Sequence, residues 1–197
     1  PDVDGGYEYF LDTDYVGSVT NLLTYSEDFA NGAWVKVGPS VPTIGFVAPD
    51  GSLNASYLSA SAANWNMRQS FTFLIGVTST FSFWVKSQGT GNDNFALIAA
   101  NGSANVLFTA TDIWTRHSVS GVGTGSSDYI YFADSNNEAC DVYIWGAQLT
   151  ASAKPLPYVK RLASAVTQTF TETLRVEYDA ATGENLGALI EGSSTNL

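Results

Sequence analysis

Residues 80–86 read Thr-Phe-Ser-Phe-Trp-Val-Lys, with Phe81, Phe83 and Val85 recurring at every second position. A period of two belongs to an extended strand, whose successive side chains point to opposite faces, and not to a helix. The same period returns at 129–133, where Ile130 and Phe132 alternate with Tyr129 and Tyr131. It returns again at 142–149, where Val142, Ile144 and Gly146 oppose Tyr143, Trp145 and Ala147. No long stretch sets apolar residues at i, i+3, i+4 and i+7, whereas Thr, Val, Phe, Tyr and Trp abound.

Further strands are predicted over 34–37, 57–59, 67–73, 95–99, 106–109 and 115–119. Turn formers fill the gaps: Pro49-Asp50-Gly51-Ser52, Gly89-Thr90-Gly91-Asn92-Asp93, Asn101-Gly102-Ser103 and the glycine-rich run from Gly121 to Asp128. Many short strands at this spacing predict an all-β, antiparallel β-sandwich or jelly roll, not alternating β-α units. In residues 80–86 the Phe81, Phe83 and Val85 side is expected to build the core. Because aromatics stand on both faces of some strands, the second face must be covered by a neighbouring subunit or segment, or bind something.

The chain divides into an N-terminal extension at 1–17, the sandwich at 18–150, and a linker with a β-hairpin appendage at 151–197. Pro155 and Pro157 favour an extended path for the linker. Residues 167–176 alternate again, and Asp179-Ala180-Ala181-Thr182-Gly183-Glu184 reads as a turn before a last strand at 186–190. A Gly-Ser turn leads into Thr-Asn-Leu both at Gly17 and at Gly192, as if a further module could begin where the chain stops.

A formal charge of −11 with only 8 scattered Lys and Arg argues against nucleic acid, which needs clustered cations. The acidity serves solubility and self-avoidance, or, as the sharper alternative, acidic loops that hold Ca²⁺. No apolar run approaches a membrane span, so no membrane insertion is expected. Cys140 is the lone cysteine, expected to be a small buried hydrophobe.

Catalysis is not expected. His117, the single histidine, lies in Thr115-Arg116-His117-Ser118-Val119 with no Ser or Asp partner in a signature arrangement. Gly121-Val122-Gly123-Thr124-Gly125 lacks the Lys and following helix of a phosphate cradle. Carboxylate pairs for glycoside cleavage could be assembled from Glu27, Asp28, Asp134, Glu138 or Asp141, as in any acidic chain. For binding sugars, Trp65 is the candidate platform: it stands in the polar stretch Ala62-Ala63-Asn64-Trp65-Asn66, followed by Arg68. Asn64, Asn66 and Asn92 are the accompanying amides.

Read in order, several segments resemble the jelly-roll domains of bacteriophage tail and tail-fibre proteins, which are related to carbohydrate-binding modules. They are Asn21-Leu22-Leu23-Thr24-Tyr25-Ser26-Glu27-Asp28-Phe29 leading into Ala33-Trp34-Val35-Lys36, and then Ala48-Pro49-Asp50-Gly51-Ser52. Gln69-Ser70-Phe71-Thr72, the strand at 80–86 and Ile113-Trp114-Thr115-Arg116 follow, and Tyr143-Ile144-Trp145-Gly146-Ala147-Gln148-Leu149 closes the series. The match extends from about Val19 to the C-terminus, leaving residues 1–16 unplaced. The resemblance implies an adhesive or structural virion protein, a bacterial surface glycan and other virion proteins as partners, and a homo-oligomer, trimeric by analogy. It makes Trp34, Trp84, Trp114 and Trp145 structural aromatics. It also implies a Ca²⁺ held between Glu27, Asp28 and Asp141. A purely structural virion component, or a depolymerase fragment, is the alternative.

Overall fold

The computed structural model describes residues 17–38, 42–60, 65–89, 94–99, 104–134, 139–170, 173–178 and 185–191. Residues 1–16, Asn64, Asn92, Glu138 and the 179–184 turn lie outside them.

The strands are β1 (Gly17–Thr20), β2 (Val35–Val37), β3 (Thr43–Phe46), β4 (Ala55–Ala60), β5 (Asn66–Thr72), β6 (Thr78–Ser87) and β7 (Asn94–Ala99). They continue as β8 (Ala104–Thr109), β9 (Thr115–Val122), β10 (Ser127–Asp134), β11 (Cys140–Thr150), β12 (Thr167–Phe170), β13 (Thr173–Tyr178) and β14 (Asn185–Glu191). Among the described residues there is no helix. Two five-stranded antiparallel sheets form the body, in the orders β2-β5-β10-β7-β8 and β3-β4-β11-β6-β9. The architecture is the expected all-β sandwich.

Alternation decides which residues meet between the sheets. From the first sheet Met67, Ile130 and Phe132 point inward; from the second come Leu58, Phe81, Phe83, Val85, Val142 and Ile144. Phe83 and Phe132 pack edge to face with ring centroids 4.9 Å apart, a geometry worth about 1 kcal/mol beyond the area it buries. Cys140 is buried as expected.

The second sheet's outer face is also apolar, and the chain covers that face itself. Trp84 and Trp145 pack there at 5.1 Å, capped by Tyr158 at 5.5 and 4.7 Å. Arg116 lies 4.4 Å above the Trp84 ring and donates to the Leu156 carbonyl at 2.8 Å. Residues 151–158, expected to leave the body as a linker, bend at 151–154 and run on without regular structure, and Leu156 and Pro157, with Val159 just beyond, are buried against it. The chain just after residue 150 therefore packs on the sandwich. Beyond it, β12 pairs with β1. The alternating stretch at 167–176 is divided between β12 and β13, and β13 pairs with β14 as the expected hairpin.

The quoted motifs are the parts that hold this cover. Asn21 donates to the Ala147 and Val159 carbonyls and accepts from the Leu23 and Leu149 amides. Gln148 donates to the Leu156 and Pro157 carbonyls and accepts from Val159 N–H. Gly146, at a register shift in β11, has φ +63°, and a Cβ there would lie 2.8 Å from the Trp84 ring. Only glycine adopts that conformation beside that ring without strain.

Candidate functional site

Among the described residues nothing covers the outer face of the first sheet. Inward Met67 and Gln69 on β5 force Asn66, Arg68, Ser70 and Thr72 outward, and inward Ile130 and Phe132 on β10 do the same for Tyr129 and Tyr131. The register sets Tyr131 opposite Arg68, Tyr129 opposite Ser70 and Ala133 opposite Asn66. Val35 and Val37 of β2 extend these rows on one side, opposite Arg68 and Asn66. On the other side, Asn105 and Leu107 of β8 continue them through β7, Leu107 being 67% exposed.

At the centre, the Arg68 guanidinium carbon lies 4.6 Å from the Tyr129 ring centroid and 5.9 Å from that of Tyr131. The two rings are 5.8 Å apart and tilted by 58°. The Arg68 Nε and the Asn66 Oδ1 are both buried without a hydrogen-bond partner. Such orphaned polar atoms cost free energy until something binds them. The face thus offers two partly exposed phenol rings and a guanidinium held over one of them, within one patch. These are the groups that receive the C–H face and hydroxyls of a sugar ring.

Trp65 is not part of this face. It is 2% exposed, packed edge-on against Phe132 at 5.3 Å. One position before outward Asn66, it shares the parity of Met67 and points into the core. Its described polar neighbour, Asn66, is polar because it faces the other way. Asn66 does reach the open face. Tyr129, Tyr131 and Arg68 were missed as site residues, although the alternation at 129–133 already placed both tyrosines opposite the core side.

The three carboxylates expected to share a Ca²⁺ do not meet. Glu27 is 7% exposed and accepts from Asn54 Nδ2 at 2.7 Å and from the Tyr158 hydroxyl at 3.0 Å, and it pairs with Lys160. Burial, and then the Glu27 charge, push the Tyr158 hydroxyl pKa up. Asp28 accepts from the Asn31 amide. Asp141 pairs in register with Ser59 on β4, five residues beyond Asn54, which contacts Glu27. At about 3.3 Å per residue the two acids stand roughly 17 Å apart. Among the described residues no three His, Cys, Asp or Glu side chains converge as a metal site.

His117 lies between the sheets, stacked on Phe108 at 3.9 Å. Burial lowers its pKa to about 4, so it is neutral at pH 7.

No family model and no curated protein matches this sequence. Solved structures do. The CBM22-1 xylan-binding domain of Paenibacillus barcinonensis Xyn10C aligns with TM-score 0.51 at 16% identity, over 71% of this chain and 98% of that one. The chain shares that domain's β-sandwich jelly-roll fold. A family 11 carbohydrate-binding module from Clostridium thermocellum aligns with TM-score 0.48 at 15% identity, over 71% and 98% of the two chains. The enzymatically active domain of bacteriophage CBA120 tailspike protein 4 aligns with TM-score 0.45 at 14% identity, over 66% of this chain and 21% of that one. A carbohydrate-binding-module fold supports many ligands, so the reading of function returns to the residues on the open face.

Proposed function

We propose that this chain is a non-catalytic glycan-binding module whose ligand lies across Tyr129 and Tyr131, oriented by Arg68 and Asn66. The observation that carries the reading is the open aromatic row on the first sheet. The corresponding row on the second sheet, Trp84 with Trp145, is covered by the chain's own Tyr158 segment. The resemblance of the motifs supports a setting in a phage tail appendage that attaches to bacterial surface glycan. Repetition around an oligomeric fibre, a trimer by analogy, would compensate for weak single sites.

The test is a glycan array probed with folded protein, beside the Tyr131→Ala variant. Removal of a central aromatic anchor lowers affinity by about tenfold or more, with the melting temperature unchanged because that ring is partly exposed. No binding to any glycan refutes the reading. That result would favour the second one, a structural virion component. The fact that the motifs carrying the phage resemblance build an internal clamp speaks for it, because such motifs report packing and not a ligand.

A further inference from the structure

The open face carries an unusual cation. The protein has a formal charge of −11, and the ion pair found among the described residues joins Lys160 to Glu27, remote from β5. Arg68 sits on the face and forms no ion pair among the described residues. Its guanidinium is stacked on Tyr129, and stacking uses the flat π surface while leaving the in-plane N–H groups free to donate. The Nε of this fork is buried and unpartnered. Stacking also fixes the side chain, so less rotamer entropy is lost when the fork closes on a ligand. Across the strand pair stands Tyr131, whose ring the guanidinium reaches only at 5.9 Å, against 4.6 Å for Tyr129, so that it is the less engaged of the two. Tyr131 is therefore the ring left open for a sugar, and Tyr129 is a positioning residue that aims the fork. A carboxylate matches the fork's two parallel N–H bonds. Among the described side chains that point outward from β2, β5, β8 and β10, Arg68 carries the only charge, so nothing there repels an anion.

From this geometry we infer that the face selects an acidic saccharide, a sugar bearing a ring carboxylate, stacked on Tyr131 with its carboxylate received by Arg68. The inference rests on the glycan-binding reading and narrows it.

The decisive measurement titrates the protein with a panel of uronic-acid and sialic-acid oligosaccharides, each beside its carboxyl-reduced, neutral counterpart. The acidic member of at least one pair is expected to bind about tenfold more tightly or better, since charge-assisted bonds are roughly twice as strong as neutral ones. Arg68→Gln lowers affinity for the acidic member about tenfold or more and for its neutral counterpart by less, so that the preference is lost. Tyr129→Leu, which frees the guanidinium, reduces the preference, whereas Tyr131→Ala weakens both members of the pair alike. Raising the salt concentration narrows the gap between the members. Equal affinities within every pair, or a preference for the neutral members, would overturn the acidic ligand and leave the glycan reading standing. An Arg68→Gln variant that loses both members equally would also overturn it, by making Arg68 a support for the rings. Absence of binding by every pair would overturn both readings.

Discussion

Asn21→Ala is the sharpest test of how this fold is held together. Asn21 is fully buried and uses its whole side chain: Nδ2 donates to Ala147 O at 2.9 Å and Val159 O at 3.0 Å, and Oδ1 accepts from Leu23 N at 3.1 Å and Leu149 N at 3.2 Å. Three chain segments, distant in sequence, thus meet at one amide. Alanine removes four bonds and strands the backbone groups behind them. At about 1 kcal/mol net for each bond the loss is about 4 kcal/mol, more where a stranded group finds no water. That is a large share of the roughly 5–15 kcal/mol that holds a domain folded. Urea unfolding followed by tryptophan fluorescence reads the loss directly, because Trp84 and Trp145 lie under the segment that Asn21 anchors. Asn21→Asp is the companion variant. It keeps two acceptors but turns lone pairs toward two carbonyls and buries a charge, so it also destabilises although its shape is nearly unchanged. A loss below about 1 kcal/mol for Asn21→Ala, with the denaturant slope unaltered, would refute the clamp.

Trp65→Ala should cost about 3–5 kcal/mol in the same assay, as expected for a buried indole. Loss of glycan binding with stability intact would instead restore Trp65 as a surface platform. Gly146→Ala should destabilise by at least about 1 kcal/mol, because alanine must both adopt a left-handed φ and meet the Trp84 ring; an unchanged melting temperature would contradict the close approach. For His117, the folded pKa near 4 lies below the ordinary 6.5. Between those values the unfolded chain binds more protons, so the stability present above pH 6.5 is lost as the pH falls toward 4. His117→Gln should flatten that part of the stability curve, and a variant curve parallel to the parent's would sink the assignment.

The strands were legible because period-two alternation is a local property, and 80–86, 129–133 and 142–149 all fell within observed strands. Parity also held the answer for Trp65, which shares the inward side with Met67, whereas Asn66 beside it reports only on the opposite face. Glu27, Asp28 and Asp141 failed differently. A shared site depends on cross-strand register, and the pairing of Asp141 with Ser59 puts it at the far end of β4 from Glu27.

From the sequence alone come the all-β class, the two sides of each strand and the motifs that recur in order, since all follow from neighbours along the chain. Which side stays open is a tertiary decision. Tyr129 with Tyr131 and Trp84 with Trp145 stand on outer faces alike, but among the described residues the chain after Leu149 folds back over the tryptophans and not over the tyrosines. The reason is physical: Asn21 and Gln148 hold that segment through hydrogen bonds to backbone groups as many as 138 residues away in sequence, and no local pattern encodes a contact of that range.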